Sequence, residues 1–328
     1  MWIALSIVAV LVITVVGYLA FLPGRFEVRR NLELSVPVET AFAAVVDLKS
    51  WPFWSPWLLH EPDARLDFSE DYRSEEGFYE WDGKLIGAGR LTHASIVPNH
   101  RIEQELEIIR PYKSVNRVDW TFENRDNGCL VSWEMEGRMP FLFRFMVKST
   151  VPMIERDYDL GLAMLHGYVN GDAPHPTLHF VGEETLDDFN YWAIPFNGKL
   201  RQLESIRQQQ IDALESASDG HSGVPLTLLY QFEANTIDFN AEIAIPVANS
   251  APLSNYTPRE FHGGRYFKLS IHGDHRFLPL GWHALFSHFR MRRIKHDKTR
   301  PALEIYQDDP SRAENSNEVM TALYLPIR

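Results

Sequence analysis

A chain of 328 residues is too long for one small core, and a soft prior of roughly 100 to 200 residues per domain points to two domains. With 45% apolar and 23% charged residues it has the composition of a packed globular protein, which excludes a disordered or collagen-like chain. The formal net charge of −12 excludes a nucleic-acid partner, whose phosphates require a basic surface, and the single cysteine, Cys129, excludes an internal disulfide.

The chain opens on WIALSIVAVLVITVVGYLAFL, an uncharged apolar run over residues 2–22. At a rise of 1.5 Å per residue this matches a hydrocarbon core of about 30 Å. Residues 1–23 are therefore predicted to be a transmembrane anchor in contact with the bilayer. A cleaved secretory signal is the competing reading, but the run lacks a basic n-region and exceeds the ~7–15-residue apolar core of such signals. Arg25, Arg29 and Arg30 follow, and the positive-inside bias places the body of this single-pass membrane protein on the cytoplasmic side.

Beyond the anchor, ELSVPVETAFAAVVDLKSW reads as a strand and then a helix, with Val38, Phe42, Val45 and Val46 at helical spacing behind Pro37. The prolines in WPFWSPW, residues 51–57, predict a compact loop with buried rings. From about residue 64 to 137, short alternating runs between Gly, Asn, Asp and Pro turns predict an antiparallel meander. A long helix over 146–168 follows, with Val151, Ile154, Tyr158, Leu162, Leu165 and Tyr168 on one face. Trp54, Trp57, Trp81, Trp120 and Trp133 either line a lipid-sized cavity or fill it.

The segments VPVETAFAAVVDLKSWPFWSPW, YEWDGKLIGAGRL and VSWEMEG, with the closing GLAML helix, resemble the START-like polyketide cyclase superfamily (SRPBCC). Assigned to residues 24–172, the resemblance implies a helix-grip fold: an antiparallel sheet wrapped on a long C-terminal helix, with an apolar cavity between them. It admits lipid binding or transfer through that cavity, because fold alone does not specify function.

GDAPHP, residues 171–176, is a polar, proline-containing connector. Residues 176–328 then contain an internal duplication: LTLLYQFEANTIDFNAEIAIPV matches ALEIYQDDPSRAENSNEVMTALYLPI, setting Tyr230 opposite Tyr306 and Pro246 opposite Pro326. A helix pattern precedes each copy, one built on Leu200, Leu203, Ile211 and Leu214, the other on Trp282, Leu285, Phe286 and Phe289. The strands ahead of these helices are read as PTLHFVGEE and GRYFKLSIHGD, giving two βαββ units.

That duplication, with GGRYFKLSIHGDH, LPLGWHALFSHF, PALEIYQDDP and LYLPI, resembles the GyrI-like effector-binding domain of AraC-type and MerR-type regulators. The resemblance implies a cleft on a pseudo-twofold axis that takes small hydrophobic or cationic molecules. No helix-turn-helix pattern accompanies it, which argues against a transcription factor. The expected whole is α+β: an N-terminal transmembrane helix, a START-like domain and a duplicated βαββ effector-binding domain.

Alternation puts Glu304 on the face of its strand opposite Leu303 and Ile305, together with Tyr306. The resemblance makes that face the cleft, with Glu304 as the carboxylate that meets a cation or acts as general base beside Tyr306 in a hydrolase. Tyr230, Tyr306, Trp282 and Phe267 are the candidate aromatic wall, since ring faces attract cations. No cofactor is expected, nor a metal, because His283 and His288 lie five apart on a helix and His272 and His275 lack a third ligand nearby in sequence. GHSG, residues 220–223, is not a nucleophile elbow, and the sequon at Asn255 is a chance match in a cytoplasmic body. The predicted function is that of a membrane-tethered protein binding small hydrophobic or cationic molecules, with a GyrI-like hydrolase using Glu304 as general base, or lipid binding and transfer through the START-like cavity, as alternatives.

Overall fold

The structure is a computed structural model that describes residues 2–218, 223–234, 236, 238–247, 256–308, 313 and 315–328. Residues 220–222 of GHSG, and Asn255, lie outside the described residues. The chain divides into two compact units, Met1–Ala173 and Pro174–Arg328.

In the first unit, helix α1 (Trp2–Phe21) leads into strand β1 (Arg25–Leu34) and helix α2 (Val38–Val46), whose N-cap is Pro37. Strands β2 (Arg65–Phe68), β3 (Phe78–Asp82), β4 (Ala88–Val97), β5 (Arg101–Arg110), β6 (Ser114–Arg125) and β7 (Gly128–Arg138) follow, then helix α3 (Val147–Val169). They form a seven-stranded antiparallel sheet, ordered β1-β7-β6-β5-β4-β3-β2. Tyr158, Leu162 and Leu165 of α3 share its core with Trp120 and Trp133. WPFWSPW is partly helical: a 3-10 helix, Leu48–Phe53, contains Pro52. Tighter 3-10 winding tolerates the proline that an α-helix interior would reject.

The tryptophans fill this core. Trp120 stacks on Trp133 at 4.3 Å, Trp133 on Tyr158 at 3.8 Å, and Trp51 and Trp54 meet both tryptophans edge-on at 5.9–6.1 Å. A buried polar chain runs beside them. Trp120 Nε1 donates to Gln104 Oε1 (3.1 Å), Gln104 Nε2 to His93 Nδ1 (3.3 Å), and His93 Nε2 to the Val46 carbonyl (3.0 Å).

The expected transmembrane anchor is corrected: among the described residues, no helix is long and apolar enough to cross a membrane. One residue of the last turn of α1 packs on the unit itself. Leu19 is only 6% exposed, and Arg144 Nη1 donates to the carbonyls of Leu19 and Ala20 at 3.4 and 3.5 Å. Two arginines read as flanking charges are paired instead: Arg30 with Glu155 (3.1 Å) and Asp159 (3.0 Å) of α3, and Arg29 with Glu134 (3.8 Å) of β7. The single-pass, cytoplasmic-side placement falls with the span.

In the second unit, strands β8 (Thr177–Leu186) and β9 (Phe189–Lys199) precede helix α4 (Leu200–Ser218), β10 (Leu226–Tyr230) and β11 (Asp238–Val247). The short β12 (Arg259–Phe261), then β13 (Gly264–His272), helix α5 (Leu278–Arg292), β14 (Ala302–Tyr306) and β15 (Met320–Pro326) complete it. The sheet runs β12-β9-β11-β10-β14-β15-β13-β8. Its centre is two βαββ units, β9-α4-β10-β11 and β13-α5-β14-β15, joined where β10 pairs antiparallel with β14.

Two details of the expected repeat change. PTLHFVGEE is not the first strand of the first copy. β9 pairs β11 as β13 pairs β15, whereas β8 is an outer strand on β13. The phase of the repeat also slips. Pro246 faces Tyr191 and Pro326 faces Tyr266, so the prolines do correspond. Three residues back, Ile243 faces Thr227 and Leu323 faces Glu304, which makes Thr227, not Leu228, the counterpart of Glu304. A one-residue slip sends every side chain to the other face.

Candidate functional site

PALEIYQ forms β14 because its apolar alternation suits a strand buried on both faces. Leu303 and Ile305 join the apolar cluster of one face, with Leu226, Leu228, Tyr266 and Tyr324. Alternation therefore sends Glu304 and Tyr306 to the other face, where α4 and α5 lie.

Glu304 is 2% exposed at the middle of the sheet, between the two helices. Trp282 Nε1 of α5 donates to its Oε1 at 2.7 Å, and Tyr306 Oη–H to its Oε2 at 2.6 Å. Arg207 of α4, itself 4% exposed, brings Nη2 to 3.4 Å from Oε2 and sets its guanidinium 5.2 Å from the Tyr306 ring centre. Thr227 Oγ1 donates to Tyr306 Oη at 2.6 Å. Burial opposes the charge on Arg207, but Tyr306, Glu304 and Glu204 outweigh it and hold its pKa above the usual value. Burial pushes the Tyr306 hydroxyl well above its ordinary pKa, so it stays a proton donor.

Aromatic rings adjoin the cluster. Phe232 meets Trp282 edge-on at 4.8 Å, and Phe286 lies 5.4 Å from Phe232 and 6.2 Å from Trp282. Of the predicted residues, Glu304, Tyr306 and Trp282 are thus brought together. Phe267 lies on the same sheet face but packs on Phe289 (5.6 Å) and His288 (5.2 Å). Tyr230 is on the opposite face, where its hydroxyl and that of Tyr191 donate to Glu242 Oε2, each at 2.9 Å, and Arg259 pairs with the other carboxylate oxygen.

Arg207 and Thr227 were missed by sequence reasoning. Arg207 had a signal: it sits four residues after Leu203 and four before Ile211, a charge inside the apolar stripe of α4. His288 stacks on Phe180 at 4.1 Å, and burial, with Arg292 nearby, pushes its pKa down to about 4. Among the described residues, Asp188, Glu260 and His262 bring potential metal-ligand atoms within 4.8 Å of one another. All three are exposed, and Asp188 Oδ1 already accepts the Gly263 N–H at 2.7 Å.

Residues 181–328 match the family described as the GyrI-like small molecule binding domain. The second unit is a GyrI-like small-molecule binding domain. Solved structures with a similar fold include protein MLL2253 from Mesorhizobium loti, with 12% identity over 45% of this chain and 99% of that one, TM-score 0.36. SAV2435 bound to tetraphenylphosphonium shows 16% identity over 44% and 92%, TM-score 0.37. The Aha1 dimer from Colwellia psychrerythraea shows 9% identity over 44% and 96%, TM-score 0.34. Curated protein sequences give no match.

Proposed function

We propose that the GyrI-like domain captures a small hydrophobic molecule on the helix-covered face of its sheet, with Glu304, Tyr306, Trp282 and Arg207 as the polar floor. The carrying observation is the buried Glu304 carboxylate set between α4 and α5 among aromatic rings. A few convergent polar groups within apolar walls are the common make-up of small-molecule sites. A cationic ligand is supported less well, because Arg207 already meets the carboxylate's charge. Base catalysis by Glu304 is likewise weakened, since both of its oxygens hold donors. Lipid carriage by the first unit is weakened by tryptophans that pack on one another.

Calorimetric titration of the full chain with 2-acetylnaphthalene and with tetraphenylphosphonium tests the reading. Saturable binding of the neutral probe, weakened about tenfold by Trp282→Phe, is expected. Absence of saturable binding by either probe sinks it.

A further inference from the structure

Arg207 is the least satisfied group in the site. Its Nε is buried and meets no acceptor among the described residues, and the contact of Nη2 with Glu304 is a long ion pair. Other buried polar atoms in this unit also lack a partner among the described residues, two of them on elements of the site. Gln210 Oε1 lies three residues along α4, and Thr321 Oγ1 lies on β15 in register with Tyr306. Native proteins pair nearly all such atoms, because a buried donor without an acceptor bears the full cost of its lost hydration.

The two fully buried charges in the site cancel, with Glu204, only half-buried, adding its field to Arg207. Glu304 and Arg207 make one neutral pair at 2% and 4% exposure. Any ion added to so dry a place would need a counter-charge of its own. Resting on the binding reading above, we infer that Arg207 selects the ligand: an uncharged, largely aromatic molecule carrying one strong acceptor oxygen, a ketone, ester or amide, which takes the Arg207 Nε–H while its apolar body lies against Trp282, Phe232 and Phe286. A site built to hydrogen-bond its ligand rejects an analogue lacking the acceptor far more strongly than an apolar slot rejects a missing methylene.

Four probes of one shape test this by calorimetry on the full chain: 2-acetylnaphthalene, 2-ethylnaphthalene, 2-naphthoate and 2-naphthylmethylammonium. The ketone should bind at least tenfold tighter than the ethyl compound and than either ion. Arg207→Lys keeps a cation for Glu304 but removes the Nε–H, and should bring the affinities of ketone and ethyl compound within about twofold of each other. If that variant does not melt cooperatively, Arg207→Met combined with Glu304→Gln removes the pair at constant bulk and should collapse the same ratio. Equal affinities for ketone and ethyl compound in the wild type, tightest binding by an ion, or a ratio that survives the variants overturns the assignment to Arg207 and leaves the binding reading standing. Failure of all four probes to bind overturns both.

Discussion

Removing either partner of the Glu304–Arg207 pair leaves the other as a buried, uncompensated charge, because both side chains are almost fully out of water. Glu304→Gln and Arg207→Met should each destabilise the protein by about 3–5 kcal/mol, whereas the double substitution should cost clearly less than the sum. Urea unfolding of the three variants measures this, and additive losses would show that the pair is not coupled. A second residue-scale effect belongs to His288. Its pKa in the folded protein is about 4, against an ordinary value of 6.5. Between those pH values the unfolded chain binds a proton that the folded one does not. The stability that neutral His288 contributes is complete above about pH 6.5 and is lost as the pH falls towards 4. Unfolding free energies measured from pH 7 to 4 should decline across this window, and His288→Gln should flatten the decline.

At the scale of elements, the meander, the long helix and the second βαββ unit were legible because strand alternation and helical spacing are local properties of the sequence, whereas the opening strand of the first unit, β9, was not. Glu304, Tyr306 and Trp282 were legible for the same reason, through alternation in β14 and an apolar helix ahead of it. What alternation cannot supply is the register between strands far apart in sequence. Aligning Tyr230 with Tyr306 looked natural, yet the ladder is out by one residue and the two rings occupy opposite faces. The 2.9 Å bond from Tyr230 to Glu242 therefore lies on the sheet face opposite Glu304, away from the proposed floor. Tyr230→Phe should cost about 1 kcal/mol of stability and leave 2-acetylnaphthalene affinity within about twofold. Tyr306→Phe, which removes a donor to Glu304, should weaken that affinity about fivefold, close to 1 kcal/mol. Equal effects of the two substitutions would place both rings at one site.

For the whole molecule, the apolar run at the start shows where reading by composition stops. An uncharged stretch is visible in sequence, but the engagement of its last turn by Arg144, some 125 residues away, is not. The same applies to Arg29 and Arg30, whose partners on β7 and α3 only the fold brings near. The two compact units lead to a further expectation. Each exceeds the roughly 100 residues at which a core readily sustains itself, so residues 174–328 expressed alone should unfold cooperatively and still bind the ketone probe. A fragment without a cooperative melt would show that the units stabilise each other.

The pairing of Thr227 with Glu304 has one more consequence. These two residues are counterparts in the repeat and also direct neighbours across the β10–β14 junction, so the symmetry axis of the unit passes through their pair. Two identical halves would set a second carboxylate there, with Cβ atoms about 5 Å apart on one buried face. Such neighbours cannot both ionise, and one would have to hold a proton. A perfectly symmetric pair could therefore carry only one negative charge. Thr227→Glu, which restores the symmetry, should therefore bind one proton more when folded than when unfolded, so its stability relative to the wild type should fall as the pH rises from about 5 to 8. Thr227 is thus the position where the difference between the two halves lets a single, unshared carboxylate sit beside their common axis.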